Sequence, residues 1–177
     1  MGLLDQLNQV LQQYASGSGS GQPPAEVSQH FDQVAQAAPK NVLAEGLAAA
    51  FRSNQTPAFG DMVSSLFGQS TGEQKAGMLN QLLASAGPGA LAALTGGGGL
   101  AALLQQGTKQ VTPDQAQQIS PQAVQQLASH VEKTNPSIVD QASAFYAEHS
   151  TLVKTLGGAA LSVALAKVAE RQRTSAG

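Results

Sequence analysis

Apolar residues recur every three to four positions along most of the chain, and no run of alternating β-branched residues predicts a strand. Leu3, Leu4, Leu7, Val10, Leu11 and Tyr14 share one face and predict a short amphipathic helix over 2–14. A helix of this length is marginal in water on its own, so it must dock on something: its own body, another copy or a membrane. Ser16-Gly-Ser-Gly-Ser-Gly21 follows with the composition of a flexible tether, and Pro23 and Pro24 begin a new element. A helix over about 24–37 carries Val27, Phe31 and Val34 on one face, and Pro39 breaks it. A third, over about 40–52, uses Val42, Leu43, Leu47, Ala50 and Phe51.

Beyond residue 52, helix starts are read from capping chemistry. Thr56-Pro57, Thr112-Pro113, Ser120-Pro121 and Asn135-Pro136 each place a side-chain acceptor before a proline, the order expected of an N-cap followed by the first helical residue. Thr71 and Gln74 have the spacing of a capping box and open a helix to about 85. Ser150 is expected to cap a last helix to about 172, apolar almost all round and read as a central core helix, with a basic-ended membrane-surface anchor and an oligomer seam as the rivals. Residues 24–85 hold four of the five Phe and look like the densest core.

Two segments stand out for lack of charge. No charged residue occurs from Ala76 to Thr108, where the run Gly87–Leu104 is split by four consecutive glycines; it reads as a buried hairpin, with a membrane- or partner-binding hairpin as the rival. The second is Thr155–Ala166, inside the last helix. Each apolar piece is well short of the roughly 20 residues that span a bilayer.

Charged residues make up 11% of the chain, against about 25% in ordinary domains, and 23 Gln take their place. A helical face rich in Gln can hydrogen-bond to another such face without burying a charge, which suits contact with another protein; a drifted neutral surface is the alternative. Residues 1–149 carry five Lys/Arg against ten Asp/Glu; residues 150–177 carry Lys154, Lys167, Arg171 and Arg173 against Glu170. Lys167, Arg171 and Arg173 are thus the candidates for contact with an anionic surface, although three cations without aromatics do not make a nucleic-acid site.

Chemistry is hard to find. Without Cys there is no thiol nucleophile, disulfide or thiolate metal site. Of the three His, His30 has Glu26 at i−4, an acceptable pair in geometry; His130 is followed by Lys133 and Thr134; His149 lies at a helix end beside Phe145 and Tyr146. No nucleophile elbow is present, and the Gly96–Gly99 run lacks the Lys of a phosphate loop. No catalytic, cofactor-binding or metal-binding residue is assigned, and no cofactor is expected.

The opening Met1-Gly-Leu-Leu-Asp-Gln-Leu7, followed by a Gly-rich tether, resembles the start of the YidB-like family of small bacterial proteins. That resemblance implies a helical bacterial protein and carries no functional residues across.

The expectation is an all-α multi-helix bundle of about eight short helices: an N-terminal amphipathic helix over 1–14, a Gly/Ser linker over 15–23, a helical domain over 24–172 and a disordered tail over 173–177. The expected role is that of a non-enzymatic interaction or scaffold protein that self-associates. A peripheral membrane protein and a carrier of a small apolar ligand are the alternatives. The expected partner is a second copy or another protein, with a membrane surface as the alternative and neither nucleic acid nor metal favoured. Asp5 interrupts the apolar start and no basic segment precedes it, so no signal peptide is expected and the cytoplasm is the expected compartment.

Overall fold

The computed structural model describes residues 2–16, 24–93 and 110–175, and the side chains of all of these except residues 3, 4, 24 and 88–93. Among the described residues there are ten α-helices, one 3-10 turn and no strand. In chain order the helices are α1 (Leu3–Ala15), α2 (Pro24–Ala37), α3 (Lys40–Arg52), α4 (Phe59–Gln69), α5 (Gly72–Ala93), α6 (Pro113–Gln117), α7 (Pro121–Thr134), α8 (Ile138–Glu148), α9 (Ser150–Val153) and α10 (Gly158–Ser175). The chain is therefore the expected all-α, multi-helix protein.

Its organisation differs from the single helical domain expected over 24–172. The helices gather into two compact units, one formed by Met1–Pro57 with Ser143–Gly177 and the other by Ala58–Ala142. The expected dense core over 24–85 is accordingly divided, with Phe31 and Phe51 in the first unit and Phe59 and Phe67 in the second. Helix α1 belongs to the first unit instead of standing apart as a module, and Arg173–Ser175, assigned to a disordered tail, continue α10.

The first unit is built around α10, which packs against α3, α1 and α2. Leu161, Ala164, Leu165 and Val168 of α10 are fully buried, as are Phe31 and Val34 of α2 and Leu43 of α3. This is the central core helix that the sequence pattern predicts. It approaches α3 closely because Gly46 lacks a side chain: a Cβ there would sit 2.7 Å from both the Ala164 carbonyl oxygen and Val168 Cγ2. Ion pairs brace the same unit, Lys154 with Asp32 of α2 at 2.9 Å and Arg171 with Glu45 of α3 at 2.9 Å.

In the second unit α4 packs on α7, and α5 packs on α6 and α7. Met62, Val63, Leu66 and Phe67 of α4 meet a core that includes Leu79, Leu82, Val124 and Leu127. Polar clasps reinforce it. The Gln125 side-chain amide donates to Asp61, and Asn80 uses both ends of its side chain on the Val111 backbone, accepting from its N–H at 2.7 Å and donating to its carbonyl at 3.2 Å.

The capping signals divide. Thr71 forms the expected box with Gln74, Thr112 is the expected N-cap and makes a box with Gln115 as well, and Ser120 accepts from the Ala123 N–H at 3.3 Å. Thr56 does not open α4. Its hydroxyl lies within hydrogen-bond reach of the Ala50 and Ser53 carbonyls, at 2.5 and 3.0 Å, closing the end of α3, and α4 starts at Phe59. Asn135 likewise ends α7, its N–H bonding to the Val131 carbonyl at 2.7 Å, and α8 starts at Ile138. The single helix expected over about 150–172 is broken into α9, a 3-10 turn over Lys154–Leu156, and α10. The break falls at Gly157, whose φ of +89° is a conformation that residues with a Cβ rarely adopt. Of the uncharged segment Gly87–Leu104, residues 94–104 lie outside the described residues, while Gly87 interrupts α5 with φ +63°.

Candidate interaction surface

Helix α1 is a complete structural piece. The Gly2 N–H donates to the Asp5 carboxylate at 3.2 Å, which occupies an otherwise orphaned N-terminal donor. At the other end the Ser16 N–H donates to the Gln12 carbonyl at 3.2 Å, and its hydroxyl bonds back to the Gln12 and Gln13 carbonyls. Both caps are made within 2–16, so the helix end does not rely on the segment that follows.

The apolar face of α1 turns inward. Leu7, Leu11 and Tyr14, spaced by four and three residues, are all at most 5% exposed, and Val10 is half-buried; α1 packs on α10 and α2. The side chains of Leu3 and Leu4 lie outside the described residues. Of the residues singled out as a partner-binding face, Leu7, Leu11 and Tyr14 are thus covered by the protein's own helices, and α1 is docked within its own chain.

Tyr14 adds a polar link to this docking. Its hydroxyl and His30 Nδ1 of α2 are hydrogen-bonded at 3.0 Å, with the two rings edge to face at 5.8 Å. Burial, and secondarily the nearby Glu26 carboxylate, raise the phenol above its ordinary range, so it stays protonated at neutral pH. Nδ1 of His30, the histidine with Glu26 at i−4, is engaged here by Tyr14. Among the described residues no three His, Asp or Glu side chains gather as a metal-binding group.

The opposite face of α1 is amide-rich. Asn8, Gln9, Gln12 and Gln13 line a groove with Gln172 and Arg173 of α10, over a floor of Leu11 and Ala169, and its volume is about 680 Å3. A smaller recess of about 400 Å3 lies by Tyr14, Ala49, Val163 and Ala166, bordered by Lys167, Glu170 and Arg173. The wealth of Gln is plain in the composition, but the meeting of these residues in one groove is not. The signal was present in the spacing of Gln9, Gln12 and Gln13, which places them on one helical face.

The three cations proposed for an anionic surface are not equivalent. Lys167 is paired with Glu170 at 2.9 Å, and Arg171 with Glu45 at 2.9 Å. Arg173 is exposed and borders both recesses. No helix among the described residues is long and apolar enough to cross a membrane.

No family model, curated protein or solved structure matches this chain.

Proposed function

We propose that this protein is a non-enzymatic helical scaffold that acts by contact with other polypeptides, first among them further copies of itself. The observation that carries the reading is the amide-lined groove between α1 and α10, with Gln9, Gln12, Gln13 and Gln172 around it. A side-chain amide both donates and accepts hydrogen bonds and has no charge to desolvate, so it suits a surface that meets peptide groups or a second set of amides. A lipid surface fits less well, because Lys167 and Arg171 already have carboxylate partners in their own chain.

Light scattering on the full chain over a dilution series tests the reading. The expected result is a mass above the 18.0 kDa of one chain that falls on dilution. The double substitution Gln12→Glu with Gln172→Glu, which sets like charges along the groove, is expected to drive the chain toward monomer. A strict monomer at every concentration contradicts the proposal.

A further inference from the structure

Resting on that self-association, we infer that its mode is exchange of α1: the site on α2 and α10 that holds this helix takes the α1 of a second copy. Three features of the first unit point to it. The helix closes its own ends through Asp5 and Ser16, so it can leave its site without losing its caps. Its site is assembled without it, because the Gly46 seam joins α3 to α10, Arg171 ties α10 to Glu45, and Lys154 holds α2 through Asp32. Among the described side chains the docking is made by the inward Leu7, Leu11 and Tyr14, with the Tyr14–His30 hydrogen bond beside them.

Eight residues separate Ala15 from Pro24 in the sequence, a contour of up to about 28 Å. Exchange between two such chains restores every interaction that α1 makes in one copy, so the cost is mainly that of bringing two molecules together. New interactions offset that cost, and the amide groove is placed to supply them. Gln12, Gln13 and Ser16 line it at the end where the chain leaves α1, the end at which two exchanging chains must cross.

The test uses the unmodified full chain. Isotopically labelled and unlabelled protein are unfolded together, refolded and examined as the mixed dimer for magnetisation transfer between molecules. Exchange predicts a Tyr14–His30 ring contact between a labelled and an unlabelled chain, because those rings stand 5.8 Å apart in the docked arrangement. A mixed dimer in which this contact is found only within one chain overturns exchange and leaves self-association standing; a chain that is monomeric throughout removes both readings. A second arm deletes Gly17–Pro23, joining Ser16 directly to Pro24, which keeps the Ser16 cap while preventing α1 from turning back onto its own α2. The shortened chain is expected to double in mass by light scattering, and a folded monomer there also overturns the proposal.

Discussion

Both units are organised at a helix pair that meets through a glycine, yet they secure their outer elements differently. In the first unit Gly46 brings α3 within contact of the α10 backbone; in the second, Gly60 of α4 lies so close to α7 that a Cβ would stand 2.8 Å from the Gln125 carbonyl and would collide with the Ser129 hydroxyl. Around its pair the second unit adds directional polar clasps, Asp61 with Gln125 and Asn80 with Val111. Around its own pair the first unit adds α1, seated through an apolar face with a hydrogen bond between Tyr14 and His30. Side-chain-to-backbone bonds fix an element in a single register, and breaking them strands buried polar groups. An apolar face on a self-capped helix can be released and replaced as a unit. The first unit is thus the one with a separable layer.

The largest expected effect tests that separability. Leu11→Ala removes a side chain that is 4% exposed, a destabilisation of about 2–5 kcal/mol at a site that cannot collapse. Here it should appear as undocking of α1: the Tyr14–His30 ring proximity disappears from NMR spectra while the α3–α10 pair stays folded. Cooperative unfolding of the whole first unit would erase the distinction between the two units.

Gly46→Ala should cost about 1–3 kcal/mol in denaturant titration, because the new methyl meets a carbonyl oxygen on α10 that cannot rotate away. Gly60→Ala should cost a similar amount but be partly relieved by Ser129→Gly, since one of its two obstacles is a side chain. Asn80→Ala leaves both polar groups of the Val111 backbone without their clasp and should destabilise the second unit by about 1–3 kcal/mol, with no effect on α1 exchange.

The smallest effect concerns Tyr146. Its hydroxyl is buried with no hydrogen-bond partner among the described residues, and its ring packs by Phe51 and Phe145. Tyr146→Phe removes the stranded group and should be neutral or stabilising by up to about 1 kcal/mol. Burial also raises this phenol well above its ordinary value of 10.0. The folded chain then keeps a proton that the unfolded chain releases, so stability is full below pH 10 and declines above it by about 1.4 kcal/mol per pH unit. In Tyr146→Phe that part of the alkaline decline should vanish from thermal melts.

Helical class and most helix positions were legible because apolar spacing and local caps are properties of neighbouring residues. Thr112-Pro113 and Ser120-Pro121 mark helix starts correctly, but Thr56 and Asn135 serve the end of the preceding helix, Thr56 through its hydroxyl on the Ala50 and Ser53 carbonyls and Asn135 through its N–H on the Val131 carbonyl. A polar residue before proline fits either use, and which one prevails depends on the orphaned groups nearby. The division into two units was not legible, because it rests on approaches such as that of Gly46 to Ala164, more than a hundred residues apart, which leave no periodic trace. The candidate surface was half legible: the spacing of Leu7, Leu11 and Tyr14 marks the apolar face of α1 and leaves its own body, another copy or a membrane open as its cover, whereas the packing on α2 and α10 depends on contacts between distant residues.

Amide hydrogen exchange of the full chain tests the separable first helix most directly. A separable first helix predicts that the amides of α1 share one opening free energy, lower than that of α3 and α10, and that Leu11→Ala lowers it without changing theirs. Exchange of α1 only through global unfolding, at the same free energy as α3 and α10, would contradict it.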